Sequence, residues 1–288
     1  YPAGELEPWE VDLLVQDHEF RHAQLRRFFG DAPPGRITSF IFASTAQKRR
    51  LIGAGRTFIA KPWRREIYLH QAAFPHRVLK HELAHVFAGP HGDSWFGVSL
   101  RWRAAPLPHP VFNVGLIEGV AVAADWRPYG ELTAHQMAAA LLRIGLAPRL
   151  KPLFGYGFLG GAASRAYTLA GSFCRYLVRT RGRDRLLRAF ASGGDFPAAY
   201  DGATLEQLLA EWSAWLGRVH VPAAQLQLAR ERFRRPGVFG RVCSHEVANL
   251  LAEAAALLAD EPRRAAAIYE QVCAFDPGEP SHLLRWMH

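Results

Sequence analysis

The stretch Val78-Leu-Lys-His-Glu-Leu-Ala-His-Val-Phe87 decides how this chain is read. It holds neither Pro nor Gly, so one helix can run through it without a break. Residues i and i+4 share a helix face, which points the imidazoles of His81 and His85 the same way. Both rings can then reach one metal ion at about 2.0–2.1 Å. Glu82 lies one residue round from His81. It is too close in sequence to serve comfortably as a further ligand, and well placed to take a proton from a water that the ion activates. Just upstream, Ile67 and Leu69 alternate with polar neighbours as a strand does, the kind of wall a hydrolytic cleft wants.

Two imidazoles leave a zinc site one protein ligand short. Two residues compete for the place. His91 would give the spacing His81-x3-His85-x5-His91, which resembles the metzincin peptidases. That pattern wants Gly where Ala88 stands, and it wants a Met-bearing turn, whereas Met137 lies in a helical pattern and Met287 at the end. Glu118 is the favoured candidate. It stands in Phe112-Asn-Val-Gly-Leu-Ile-Glu-Gly-Val-Ala-Val-Ala-Ala124, an almost wholly apolar helix. A lone buried carboxylate is costly unless it is neutralised or finds a cation, and a divalent ion relieves it. The ordinary alternative is an ion pair with an arginine. Gly119, Ala121 and Ala123 are small enough to let a neighbouring helix come close.

With these residues in place the chain resembles the gluzincin metallopeptidases, the thermolysin-like clan. The likeness rests on His81-Glu-x-x-His85, followed 33 residues later by Glu118-Gly-x-Ala. It extends, more softly, to Tyr167-Thr-Leu-Ala-Gly-Ser-Phe-Cys-Arg-Tyr-Leu177, Arg181-Gly182 and Leu208…Trp212…Trp215-Leu216, over roughly residues 36–217. The resemblance implies His81, His85 and Glu118 as zinc ligands, Glu82 as general base and Tyr167 as donor to the oxyanion. Tyr167 read from the residues alone is equally a core tyrosine. Where thermolysin-like enzymes place an Asp four residues after the ligand Glu, this chain has Val122. Asp125 or Asn113 is then the partner expected to orient a zinc histidine.

Outward from the motif, residues 37–42, 57–60 and 66–70 read as strands, the last two split at Lys61-Pro62 by a bend or at a sheet edge. Residues 10–15 read as a further strand and 18–29 as a short helix ending at Gly30. Helical spacing covers 76–88, 110–126, 133–144, 163–181, 183–192, 204–217 and 222–233. The fold class is therefore α+β: a small mixed or antiparallel sheet over about 1–70, packed on a mainly helical body over about 74–235. Residues 236–288 read as a helical hairpin, 245–259 and 262–275, broken at Asp260-Glu-Pro262. The run Ala254-Ala-Ala-Leu-Leu-Ala with Ala265, Tyr269 and Asp276-Pro277 resembles the end of a tetratricopeptide repeat, which implies a protein partner for that hairpin. A further helix is expected after Pro280.

Composition bounds the rest. The chain has 288 residues, 49% hydrophobic and 21% charged, which excludes disorder over most of its length. No stretch of uncharged apolar residues is long enough for a membrane span. The net charge of +9 comes almost wholly from arginines spread along the chain, so no nucleic-acid partner is expected. Cys174, Cys243 and Cys273 form no CxxC pair; one disulfide with a spare thiol and three free thiols both remain open. Gly155-Tyr-Gly157-Phe-Leu-Gly160 matches a dinucleotide string but lacks its strand and its acid, and reads as a loop. The chain opens at Tyr1 with neither Met nor a signal-peptide pattern, which reads as a processed or trimmed product. Compartment stays open, with a lean to an extracytoplasmic or membrane-anchored parent. The functional expectation is a zinc-dependent peptidase acting on peptide or protein substrates. Its alternatives are an inactive scaffold of the same fold and a metal hydrolase of a non-peptide amide.

Overall fold

The structure is a computed structural model that describes residues 6–55, 57–71, 74–104, 107–126, 132–160, 163–233 and 244–275. It opens on a 22-residue helix, α1 (Pro8–Phe29). Pro8 sits where a helix tolerates it, Glu7 and Glu10 close a capping box, and Gly30 ends the helix at φ 95°. The strand expected over 10–15 is therefore wrong. Leu14, Asp17, Leu25 and Phe29 are the buried positions of α1, and their spacing is that of one helix face.

A three-stranded mixed sheet follows. β1 (Thr38–Phe42) runs parallel to β3 (Glu66–His70), and β2 (Ile59–Lys61) pairs antiparallel with β3 on its other side. Pro62 opens a 3-10 turn, Pro62–Arg64, that ends β2, and β2 is an edge strand, as the Lys61-Pro62 pair foretold. Between β1 and β2 lies a helix not anticipated, α2 (Thr45–Ile52), capped by Ser44. The side chains of Ile67 and Leu69 are fully buried on the face that meets α3 (Leu79–Ala88), the helix of the His-Glu-x-x-His motif.

Among the described residues the body is helical apart from one strand pair. Residues 110–126 do not form one helix. β4 (Leu100–Arg103) and β5 (His109–Phe112) make a separate antiparallel pair, and α4 (Val114–Asp125) begins only after Asn113, whose side chain accepts from the Leu116 amide. α5 (Ala134–Arg143), α6 (Ala163–Arg181), α7 (Arg183–Ala191), the short α8 (Phe196–Ala199), α9 (Leu205–Gly217) and α10 (Ala223–Phe233) complete it. The α+β class stands. Beyond residue 243, α11 (Ser244–Leu257) and α12 (Pro262–Phe275) pack on each other with Ala254, Ala265 and Val272 fully buried. The helix expected after Pro280 lies outside the described residues, as does Cys243; Cys174 and Cys273 are free thiols.

α4 and α6 approach closely because each lends the other a glycine. A Cβ on Gly119 would stand 2.6 Å from Cys174 Sγ and 2.9 Å from the Ala170 carbonyl oxygen; one on Gly171 would meet Val122 Cγ1 at 2.1 Å. This contact sets Glu118 and Tyr167 on neighbouring helices of one wall.

Candidate metal centre

α3 and α4 cross so that three side chains converge. Glu118 Oε2 lies 3.2 Å from His81 Nε2 and 3.4 Å from His85 Nε2, and the two Nε2 atoms are 3.3 Å apart. Among the described residues these three form the one group of His, Cys, Asp and Glu side chains arranged to hold a metal ion. The sequence placed all three on helices; the crossing of α3 with α4 is what brings the third to the other two. The crossing is pinned at the C-terminal end of α4. Lys80 Nζ donates to the Asp125 carbonyl at 3.0 Å and Arg175 Nη1 to the Ala123 carbonyl at 3.2 Å, cations placed where a helix end is negative.

His76, just before α3, is also held in place. Asp17, buried on α1, accepts from the His76 amide at 2.9 Å and from Arg21 Nε at 3.0 Å. His76 in turn donates from Nε2 to the His70 carbonyl at 3.0 Å. His76 is thus a structural residue.

The charges in the triad lean on one another. Burial pushes the Glu118 carboxyl upward, but the charge of His85 and hydrogen bonds from both imidazoles outweigh it and hold the group well below the usual carboxylate range. For His85, burial opposes the imidazolium, and Glu118, helped by Glu82, overcomes it and raises the ring above its ordinary value. The pocket thus favours a positive charge between its carboxylates.

Glu82, next to His81 on α3, lines the same cleft as the triad and is 7% exposed. Burial raises its carboxyl, Glu118 adds to the rise, and His85, His81 and Lys48 oppose it without cancelling it. A carboxylate made more basic in this way accepts protons better at neutral pH. Lys48, fully buried on α2, was not singled out in the sequence. Its Nζ donates to the Thr57 carbonyl at 2.5 Å and the Tyr68 carbonyl at 2.8 Å, and it lies 5.3 Å from the centre of the Phe58 ring.

These groups open into a cleft of about 270 Å³. Its floor is His81, Glu82, His85 and Glu118; its walls include Ile59 and Ala60 of β2, with Trp63, Val98 and Tyr167. The Tyr167 ring is 6.0 Å from that of His81 and packs on Phe158 at 5.1 Å, so the structure brings Tyr167 to the site. His91 is elsewhere: its ring stacks on Phe29 at 6.1 Å, beyond the C-terminal end of α3. Asn113 caps α4 and donates to the Gly193 carbonyl at 3.4 Å, so its amide is spent on the chain's own backbone rather than on a histidine of the triad. Residues 155–160 run through a 3-10 turn, Tyr156–Phe158, and form no dinucleotide loop. Phe58 also lines the cleft, and a lone aromatic of this kind carries no periodic signal in the sequence.

Compared with known proteins, the chain matches no family model, no curated protein and no solved structure.

Proposed function

We propose that the chain is a zinc-dependent peptidase of the gluzincin kind, with His81, His85 and Glu118 as zinc ligands and Glu82 as general base. One observation carries the reading: the triangle of ligand atoms at 3.2, 3.3 and 3.4 Å. A tetrahedral ion with bonds of about 2.0–2.1 Å spaces its ligand atoms about 3.3–3.4 Å apart. Two imidazoles with one carboxylate suit zinc, whereas magnesium and calcium prefer all-oxygen sets. Three protein ligands leave a fourth position open, the mark of catalytic rather than structural zinc.

When bound, zinc supplies Lewis acidity to the substrate carbonyl and lowers the pKa of a water towards 7. The chain's own residues do the rest. Glu82 receives the proton as the water's oxygen adds to the carbonyl carbon. It holds that proton and delivers it to the amine nitrogen as the C–N bond breaks. The Tyr167 hydroxyl donates to the carbonyl oxygen as negative charge gathers there. The outer edge of β2 offers backbone groups to which an extended peptide can add as a further strand. Val98, Ile117 and Trp63 line the cleft beside the reacting bond and limit the water that reaches it.

The test is cleavage of an unfolded protein such as reduced casein by the zinc-loaded chain. The reading expects cleavage that a chelator abolishes, and a Glu82→Gln variant that keeps its zinc but not its activity. A chain that holds zinc tightly and cleaves neither casein nor a peptide library overturns it, in favour of a scaffold or a hydrolase of another amide.

A further inference from the structure

The β4–β5 hairpin has no part in the triad and has an unusual surface. Arg101, Trp102, Arg103, Ala104, Leu107, Pro108 and His109 are all exposed. Trp102 is 52% and Leu107 74% exposed. In the ladder Trp102 faces Pro110 and Arg103 faces His109, so Trp102 occupies one face and Arg101 and Arg103 the other. Among the described residues, both faces of the outer half therefore stand in solvent.

The root, by contrast, is fixed. Leu100 is buried, the Tyr156 hydroxyl donates to the Pro110 carbonyl at 3.1 Å, and the Asn113 amide donates to the Ser99 carbonyl at 2.9 Å. The Phe112 ring meets Phe96 at 6.1 Å, and Phe96 meets Trp63 of the cleft wall at 6.1 Å. A firmly rooted hairpin thus holds an apolar and basic tip beside the cleft.

Exposed loop ends are ordinarily small and polar. This one carries Trp, Leu and Pro among arginines, and no acid occurs between Asp93 and Glu118. The combination needs a partner that is negative and apolar at once. A peptide partner docks in a groove or along a strand edge, covering one side. A bilayer interface surrounds an inserted tip on every side, takes tryptophan at headgroup level and pairs arginine with phosphate. The chain's overall charge of +9 favours the same surface.

We propose that the β4–β5 hairpin docks on an anionic phospholipid bilayer, seating Trp102 and Leu107 in the interface while Arg101 and Arg103 contact lipid phosphates. Through Phe112, Phe96 and Trp63 this sets the cleft close to the lipid surface. The inference stands apart from the peptidase reading.

Vesicle flotation of the whole chain tests it, with vesicles of equal parts phosphatidylglycerol and phosphatidylcholine against pure phosphatidylcholine. Binding is expected only to the anionic vesicles and to weaken as salt is added. Arg101→Gln with Arg103→Gln should weaken it about 30-fold, from about fivefold per arginine near a charged surface. Trp102→Ala with Leu107→Ser should cost at least about tenfold. Arg26→Gln with Arg27→Gln, two exposed arginines of α1, should bind as the parent does. Melting curves confirm that each variant folds; its substituted side chains are all exposed. The proposal is overturned if the parent ignores anionic vesicles, or if the α1 pair loses as much as the hairpin pair. It is overturned as well if the hairpin variants lose binding to polyglutamate but keep binding to vesicles, which would make the partner an acidic polypeptide.

Discussion

Lys48→Met isolates the buried cation behind the cleft. Methionine keeps much of the stem volume and removes only the ammonium. Two carbonyls, Thr57 at 2.5 Å and Tyr68 at 2.8 Å, then lose a charged donor. Hydrogen bonds to a charged group are worth about 1.5–3 kcal/mol each. Against that loss stands the relief of no longer burying an ammonium, the same burial that lowers the Lys48 pKa from its ordinary value while the charge of Glu82 opposes the drop. The net is a destabilisation of about 2–4 kcal/mol, or roughly 3–7 °C in melting temperature for a chain of this size. The two carbonyls flank the β2–β3 pairing, so the loosened part is the cleft wall at Phe58–Ala60. In the proposed peptidase, KM for an extended peptide should rise while kcat changes little. Urea unfolding with peptide kinetics measures both. A Met variant within about 0.5 kcal/mol of the parent, the ordinary range for a surface substitution, refutes the role given to this lysine.

Other outcomes follow from the same geometry. Glu118→Gln keeps the shape of the side chain and removes its charge; zinc affinity, read by competition with a chromophoric chelator, should fall by more than the ~10–100-fold typical of losing an outer partner. Gly119→Ala drives a Cβ to within 2.6 Å of Cys174 Sγ and 2.9 Å of the Ala170 oxygen, and should cost about 1–3 kcal/mol in urea unfolding, or more if the helices cannot part. Tyr167→Phe should lower kcat with zinc content unchanged, whereas a tyrosine that only packs would leave kcat as it is. His135, buried against Trp126 and Trp215 with Nδ1 2.8 Å from Ser172 Oγ, has its pKa lowered from 6.5 to about 4, by burial first and by Arg179 and Arg175 after it. Between those values the unfolded chain binds more protons than the folded one, so stability should fall as pH drops from about 6.5 towards 4, by about 2–3 kcal/mol in all. The slope should become shallower by that amount in His135→Gln, and an unchanged slope would place the titration elsewhere.

The triad was legible because each member broke a local expectation. Two histidines shared a helix face at four-residue spacing, and a carboxylate stood in an apolar run. The strands at 38–42 and 66–70 were legible from alternation, and the helices from Ala134 onward from their period, except the four-residue α8, which is too short to show one. The first half of α1 was misread because Val11, Leu13, Leu14 and Val15 form a short apolar run that suits either element; the capping box at Glu7 and Glu10 was the signal that decides it. The β4–β5 hairpin was missed because Arg101-Trp102-Arg103 has no buried face to alternate against. Lys48 was invisible for a deeper reason. Its partners are carbonyls of Thr57 and Tyr68, and backbone acceptors leave no trace in a sequence.

The proposed metal centre is tested most directly by X-ray absorption at the zinc edge of the chain loaded with one equivalent of zinc. The proposed ligand set gives two imidazole nitrogens and two oxygens at about 2.0–2.1 Å, one oxygen from Glu118 and one from solvent, with the His81→Ala chain losing one imidazole. A spectrum with sulfur ligands, with a single imidazole, or with a first shell unchanged by His81→Ala would contradict it.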